Sequence, residues 1–596
     1  MTNWKKRYLA SDIRWAAVAS HNPQRGLVST NLNGSYQLFA WDVPTGNLRQ
    51  ITNNPIAIAN GEISADGETV YYHQDKGGNE IGHYMQIPWH GEGEPQDITP
   101  DLPLYSSWNI TVSPDGRWLG FSSADEEGFR VWALPSDLSA PPRALFHSPH
   151  LTFGPRFSAD GTLAYFMTSP TGSLDSVLRA VEVETAELVG ELSAGEEASI
   201  EFGPPSPHLA TPWIAATSNE TGIERPLIWN PRTGERRELV LDGLQGAIAI
   251  MAWSPDGQQL ILDQLHAAQQ TLYRYDLATD TLHALPQTPA GVFSGWRMMW
   301  TADELILTWQ DAATPAQLVA LDSHTGALRR TLAAGQPVPA GRPWRSISLI
   351  GAQGDEVQGW LITPEGAGPF PTILHTHGGP TAVMLDYFSA EGQAWVDMGF
   401  AFFSLNYHGS VTFGKSFEES IRGNLGDLEV TDMEAAYHWL VANNIALPHK
   451  VFLVGGSYGG YLTLQALGKA PQLWAGGIAT VAIADWALMY EDQAENLKGY
   501  QRALFGGTPS DTAEAHRNSS PITYAANLQA PILVIQGSND TRCPARQMQA
   551  YEKLLQELGK SIQVHWFDAG HGSLPQALRI AHQELAMNFA LSLVEP

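Results

Sequence analysis

A short turn recurs in the first half of the chain, at Ser64-Ala65-Asp66-Gly67, Ser113-Pro114-Asp115-Gly116, Ser158-Ala159-Asp160-Gly161 and Ser254-Pro255-Asp256-Gly257. Each copy precedes an apolar, strand-like run, such as 118–121, and further strand-like segments (129–133) lie between the turns. Weaker counterparts stand at Ser206-Pro207-His208 and Thr301-Ala302-Asp303, with Asn22-Pro23 as another candidate. Equivalent positions are about 47 residues apart, within the range of about 40 to 50 that belongs to propeller blades. A unit of a few short strands cannot cover its own faces and must stack on its neighbours, so this period calls for an all-β propeller. Roughly seven units fit before residue 340, and six or eight agree with the same spacing. The tryptophans of this region are therefore expected in blade cores.

The pattern changes after Gly341-Arg342-Pro343. A strand is read at 344–350, a helix at 427–441 from the spacing of Met433, Ala436, Trp439 and Leu440, and a last helix at 575–593. The apolar run 451–454 leads into Gly455-Gly456-Ser457-Tyr458-Gly459-Gly460 and then a helical stretch, 461–467. A strand, a Gly-x-Ser-x-Gly turn and a helix make a nucleophile elbow. Side chains at 455 and 459 would collide with neighbouring backbone, so only glycine fits there, and Ser457 is lifted above the sheet. The helix that follows points its positive end at the same place. The expected architecture is an α/β-hydrolase domain with a mostly parallel, doubly wound sheet at 341–596, plus the propeller and a short N-terminal segment at 1–340. No low-complexity linker divides the halves, which predicts a shared interface with the active site facing the propeller.

Partners for a serine follow in the order Ser, Asp, His. The apolar strand 531–535 ends at Asn539-Asp540, and the strand 562–567 ends at Asp568-Ala569-Gly570-His571-Gly572. Both lie past the C-terminal ends of strands, where parallel sheets gather catalytic groups. Asp540 is preferred as the acid, because its rival Asp568 sits only three residues before His571 in one turn. Ser457 would attack a carbonyl carbon, His571 would take and return the proton, and Asp540 would orient the imidazole. The oxyanion donors are expected to be the backbone N–H of Tyr458 and one from the loop 376–380, at Gly379.

His377-Gly378-Gly379-Pro380, Asn406-Tyr407-His408-Gly409-Ser410, the elbow, Asn539-Asp540-Thr541-Arg542 and Asp568-Ala569-Gly570-His571 together resemble the prolyl oligopeptidase family of serine peptidases, above all its acylaminoacyl-peptidase branch. The likeness covers about the last 250 residues in detail and the rest in architecture. It departs at His408, where relatives usually have arginine, and in the drift of 411–414, so no role is carried over there. The resemblance implies that Arg542 binds the substrate carbonyl one residue before the cleaved position, a task that suits the donor fork of a guanidinium. It also implies that Ile483 and Trp486, with Tyr458, Leu497 and Tyr500, form an apolar specificity pocket, although such residues equally read as core. Finally, it implies a propeller that limits substrate size. The acidic run Asp125-Glu126-Glu127, the nearest match to the amine-binding glutamates of dipeptidyl peptidases, reads instead as a hairpin turn before Gly128.

Composition narrows the partners. With 34 basic against 62 acidic residues and a net charge of −28, the chain is ill-suited to nucleic acid or anionic membrane. The single cysteine, Cys543, excludes an intramolecular disulfide framework and a cysteine-rich metal site, and it reads as a packed small residue. No apolar leader or membrane-length run is seen, so the expected location is the cytoplasm. The expectation is a serine peptidase acting on short peptides as an acylaminoacyl-type exopeptidase without cofactor or metal, and a homo-oligomer is compatible with it. The alternatives are a dipeptidyl or other aminopeptidase, an esterase, and a non-catalytic propeller binding protein.

Overall fold

The computed structural model describes residues 2–572 and 574–594. Five four-stranded antiparallel sheets, each of consecutive strands, cover 13–50, 152–192, 200–238, 247–284 and 292–333. Residues 62–148 form one nine-stranded sheet, because the short strand Tyr105–Ser106 pairs with both Ile81–Pro88 and Trp118–Asp125. The expected row of seven separate blades thus appears as five separate sheets and one merged one. Sheet packing makes the ring: Ile13, Ala16 and Trp41 of the first sheet share a core with Ile306, Leu318 and Ala320 of the last.

The recurring turn has a common chemistry. Ser64 Oγ donates to Asp66 Oδ1 at 2.6 Å and accepts from Thr69 N at 2.9 Å, while Asp66 Oδ1 accepts from Glu68 N at 3.0 Å. The serine–aspartate bond repeats at 2.6 Å in the turns of Ser113, Ser158 and Ser254. The closing glycine takes a left-handed φ, +76° at Gly67. Successive turns stack: a Cβ on Gly161 would lie within 2.6 Å of the Asp115 carboxylate of the unit before. The motif therefore fixes both the hairpin and the blade spacing.

The second half holds an eight-stranded sheet in the order Arg345–Ile350, Glu356–Ile362, Ala401–Asn406, Phe370–Thr376, Ala446–Gly456, Gly476–Thr480, Ile532–Gly537 and Ile562–Phe567. The first three pair antiparallel and the rest parallel. Continuous apolar strands serve two cores because side chains alternate. Leu374, Leu453 and Val534 enter one core with the helices Leu428–Ala442 and Tyr458–Lys469. Their neighbours Ile373, Phe452, Leu533 and Ile535 enter the other, with Ala390–Asp397 and Gln576–Val594. Trp4 and Tyr8 of the first helix, Asn3–Tyr8, also join that second core. The N-terminal segment thus packs on the hydrolase helices Ala390–Asp397 and Gln576–Val594, and the chain returns to its own start.

His408 has a structural role. Its ring is 1% exposed, bonded through Nδ1 to Asp432 Oδ2 at 2.7 Å and through Nε2 to Asp355 Oδ2 at 3.1 Å. Asp432 also accepts from Ala352 N at 2.7 Å, which ties the first hairpin of the sheet to the loop after Asn406. Burial would lower the His408 pKa, but the hydrogen bond and charge of Asp432, then those of Asp355, outweigh it and raise the value. A raised histidine contributes stability that is full below its unfolded pKa of about 6.5 and is lost as pH climbs through the folded value. The gap in Tm between wild type and His408→Gln is therefore expected to be wider at about pH 6 than at about pH 9. Thermal unfolding at both values checks this, and a gap that does not change with pH contradicts it.

Candidate active site

Ser457 occupies a conformation that non-glycine residues avoid, with φ 58° and ψ −121°, as the N-cap of the helix Tyr458–Lys469. It stands between the strand Ala446–Gly456 and that helix, and its N–H donates to Thr480 O at 2.9 Å. There is no room for side chains around it. A Cβ on Gly459 would lie 2.0 Å from Thr376 O, and one on Gly455 would lie 2.3 Å from Gly459 O. Sterics thus force the chain through a turn that leaves the serine hydroxyl past the C-terminal end of a central strand.

The loops past the strands Ile532–Gly537 and Ile562–Phe567 bring the other two groups to it. His571 Nε2 lies 3.0 Å from Ser457 Oγ, and His571 Nδ1 lies 2.8 Å from Asp540 Oδ2. Asp540 is fixed by the N–H groups of Arg542 and Cys543, both at 2.8 Å to Oδ1. The rival Asp568 is exposed and accepts from Asn539 Nδ2 at 2.9 Å. Cys543 is buried beside Asp540 and His571. Burial and the Asp540 charge raise its thiol pKa far above the usual range, so it packs as a neutral group. The arrangement can pass a proton from the serine hydroxyl to the imidazole while the carboxylate supports the charged ring.

The loop after Phe370–Thr376 also comes up to Ser457. A Cβ on Gly378 would sit 3.4 Å from Ser457 Cβ, whereas one on Gly379 would meet Thr381 and Ala382 of its own loop. Gly378 thus stands against the serine side chain, and the expected Gly379 is the next residue of the same loop. His377 braces the loop: Nε2 lies 2.9 Å from Ser410 Oγ, Nδ1 lies 2.8 Å from Gly378 O, and the ring stacks on Tyr407. Burial pushes the His377 pKa down to about 4, so the ring is neutral at ordinary pH. The Tyr458 backbone opens the helix beside Ser457, while its phenol turns inward and donates to Glu429 Oε1 at 2.7 Å.

The residues expected in the pocket wall are buried. Ile483 and Trp486 are 4% and 3% exposed, and the Trp486 ring packs on Tyr458, Tyr461 and Phe505. Leu497 and Tyr500 are half-buried, with the Tyr500 hydroxyl 2.8 Å from Thr381 Oγ1. Asp125-Glu126-Glu127 forms a hairpin turn held to Arg130.

The propeller reaches the site through the turn between Thr69–Asp75 and Ile81–Pro88. Thr541 Oγ1 donates to Asn79 O at 2.8 Å, and Gly570 is so close that a Cβ on it would lie 1.8 Å from Gly78 O. Glu80, held at φ 59°, accepts from Arg542 Nε at 2.6 Å and Nη2 at 2.7 Å. Burial would raise the Glu80 pKa, but its bonds and charge contact with Arg542 hold it below the usual carboxylate value. A cavity of about 350 Å³ opens here, lined by His571, Arg542, Glu80, Asp75, Trp108 and Asn496 among others. Sequence reasoning missed Glu80. Its one local signal is the glycine pair before it, which marks a turn but not a partner 462 residues away.

The sequence model of the prolyl oligopeptidase family matches residues 386–595. A dipeptidyl aminopeptidase BIII of Pseudoxanthomonas mexicana is 25% identical over 605 residues, covering 92% of this chain and 84% of its own length. An acylamino-acid-releasing enzyme 2 of Oryza sativa subsp. japonica is 29% identical over 221 residues, 35% of this chain and 28% of that enzyme. Among solved structures, a puromycin hydrolase superposes with a TM-score of 0.84 at 18% identity over 100% of this chain and 96% of its own, which is a likeness of fold.

The contact between Gly78 and Gly570 generates a test. Gly570→Ala introduces a methyl group where the propeller backbone already stands, and it must push the His571 loop and the propeller turn apart. Displacement of a catalytic group by about 1 Å can cost about a hundredfold, so kcat/KM on a peptide substrate is expected to fall by at least about tenfold. Steady-state kinetics on folded protein check this, and wild-type efficiency would show that the contact does not position the histidine.

Proposed function

We propose, for a chain that belongs to the prolyl oligopeptidase family of serine peptidases, that Ser457, Asp540 and His571 form its catalytic triad and that it releases acylated residues from short peptides. The observation that carries the triad is the pair of bonds through His571, 3.0 Å to the serine and 2.8 Å to the aspartate. Ser457 attacks the scissile carbonyl as His571 accepts its proton. The tetrahedral oxygen is held by backbone N–H groups of Tyr458 and the loop of Gly378 and Gly379, and the leaving amine takes the proton from His571. Water then repeats the sequence on the acyl-enzyme. Arg542 keeps its Nη1 donors for a substrate carbonyl, while Glu80 fixes the plane of the guanidinium through Nε and Nη2.

A blocked amino terminus is favoured by the state of the acids near His571. Both Glu80 oxygens accept from Arg542, and both Asp75 oxygens accept backbone N–H groups of Gly78 and Glu80. The full-length relative named as a dipeptidyl aminopeptidase supports the second reading, removal of dipeptides from a free terminus. In our reading the domain boundary lies near residue 340, and the nine-stranded sheet counts as two blades bridged by Tyr105–Ser106, so the propeller has seven. The ring limits substrates to short peptides, and the enzyme works in the cytoplasm.

Matched chromogenic peptides with acetylated and free amino termini test the assignment. Higher kcat/KM on the acetylated member is expected, and the reverse order favours the second reading. Arg542→Ala removes a charge-assisted bond of about 1.5 to 3 kcal/mol, so efficiency on peptides should fall roughly ten- to a hundredfold. A small ester lacking that carbonyl should lose much less. Equal losses on both would remove Arg542 from substrate binding.

A further inference from the structure

A second cavity, of about 450 Å³, lies between the two halves beside the oxyanion loop. Thr381 and Tyr500 form part of its wall, and Asn496, one helical turn before Tyr500, lines the first cavity. The two cavities therefore adjoin along the helix Glu495–Phe505. Its lining includes the apolar side chains Leu151, Phe153, Met167 and Leu174. It also includes Glu201, Glu224 and Asp263 from the propeller and Glu418 from the hydrolase helix Lys415–Glu419.

These acids outnumber the cations beside them, since among the described residues only Arg225 acts on Glu224 and Arg422 on Glu418. Arg422, the one cation of the lining among the described residues, is engaged by Asp175 at 3.2 Å and Glu419 at 3.1 Å. Arg225, near Glu224, donates to the carbonyl oxygens of Glu224 and Gly246. Asp263 Oδ2 accepts from Gln270 Nε2 at 2.8 Å, but its Oδ1 is buried without a partner, as is Glu224 Oε2. Such oxygens are costly unless something enters to pair with them. Burial pushes Asp263 up to about 7, and burial with repulsion from Glu224 and Glu201 does the same for Glu418. Strongly perturbed acids from two domains, converging in one cavity beside the loop of Thr381, mark a place built for a positive charge.

We infer that this cavity is the subsite for a lysine or arginine side chain of the substrate peptide. The methylenes lie along Leu151, Phe153 and Met167, and the cationic head lies among Asp263, Glu224, Glu201 and Glu418. A terminal α-ammonium would leave the apolar wall uncovered, whereas a long basic side chain fills both parts.

This rests on the peptidase reading, so the test uses binding to the inert Ser457→Ala variant. Acetylated peptides in which a single lysine is moved through successive positions are compared by calorimetry with matched norleucine peptides. At one or more positions lysine is expected to bind at least about tenfold more tightly. That ratio should fall to near one in Ser457→Ala carrying Asp263→Asn and Glu418→Gln as well. Should that combination not fold, Glu201→Gln, whose side chain is exposed, replaces it and should reduce the ratio. Equal binding of lysine and norleucine at every position overturns the inference, as does a lysine preference that survives these substitutions. A charge preference seen only with free amino termini also overturns it. Peptide turnover by wild type without a lysine preference would defeat the subsite alone, and a lysine preference without turnover would defeat the peptidase reading alone.

Discussion

The hydrolase half depends on one steric constraint, the crowding at residues 455–459. Gly459 lies against the carbonyl of Thr376 and Gly455 against that of Gly459, so the chain can pass from strand to helix only with Ser457 at φ 58°. Backbone strain of this kind costs about 1 to 3 kcal/mol and persists only where the surroundings enforce it. Here a buried strand, a helix buried along nearly its whole length and the neighbouring strand at Thr480 enforce it together. The hydroxyl then meets whatever the ends of the next strands carry, and these carry Asp540 and His571.

The propeller enters this account as part of the site. Its turn at 76–80 touches the Asp540 loop through Asn79 and Thr541, the His571 loop through Gly78 and Gly570, and Arg542 through Glu80. The N-terminal helix, packed on two hydrolase helices with Tyr8 OH donating to Gln583 Oε1 at 2.7 Å, holds the two halves from another side. A ring placed in this way supplies walls to both cavities.

What the sequence made legible follows the range of the forces involved. The Ser-x-Asp-Gly turns and the elbow are local, set by hydrogen bonds and sterics within a few residues, and they could be read directly. The positions of Asp540 and His571 followed from strand ends, since a parallel sheet aligns them. The Glu80–Arg542 pair was not legible, because nothing near either residue encodes the other. The merging of two propeller units by Tyr105–Ser106 rests on a strand too short to show a period. Ile483 and Trp486 were legible only as buried apolar residues, because burial in a wall and burial in a core ask for the same side chains. Gly378 and Gly379 are distinguished only by the local path of one loop. The acids of the second cavity are scattered from Glu201 to Glu418, and only the fold brings them together.

The central claim is that Ser457 is a nucleophile activated by His571. The most direct measurement is labelling of the intact protein with a fluorophosphonate, followed by mass-spectrometric mapping of the modified peptide. The account predicts one phosphonyl group per chain, placed on Ser457, with labelling slowed severely in a folded His571→Ala variant. Labelling at another residue, no labelling of folded protein, or the same rate without His571 would contradict it.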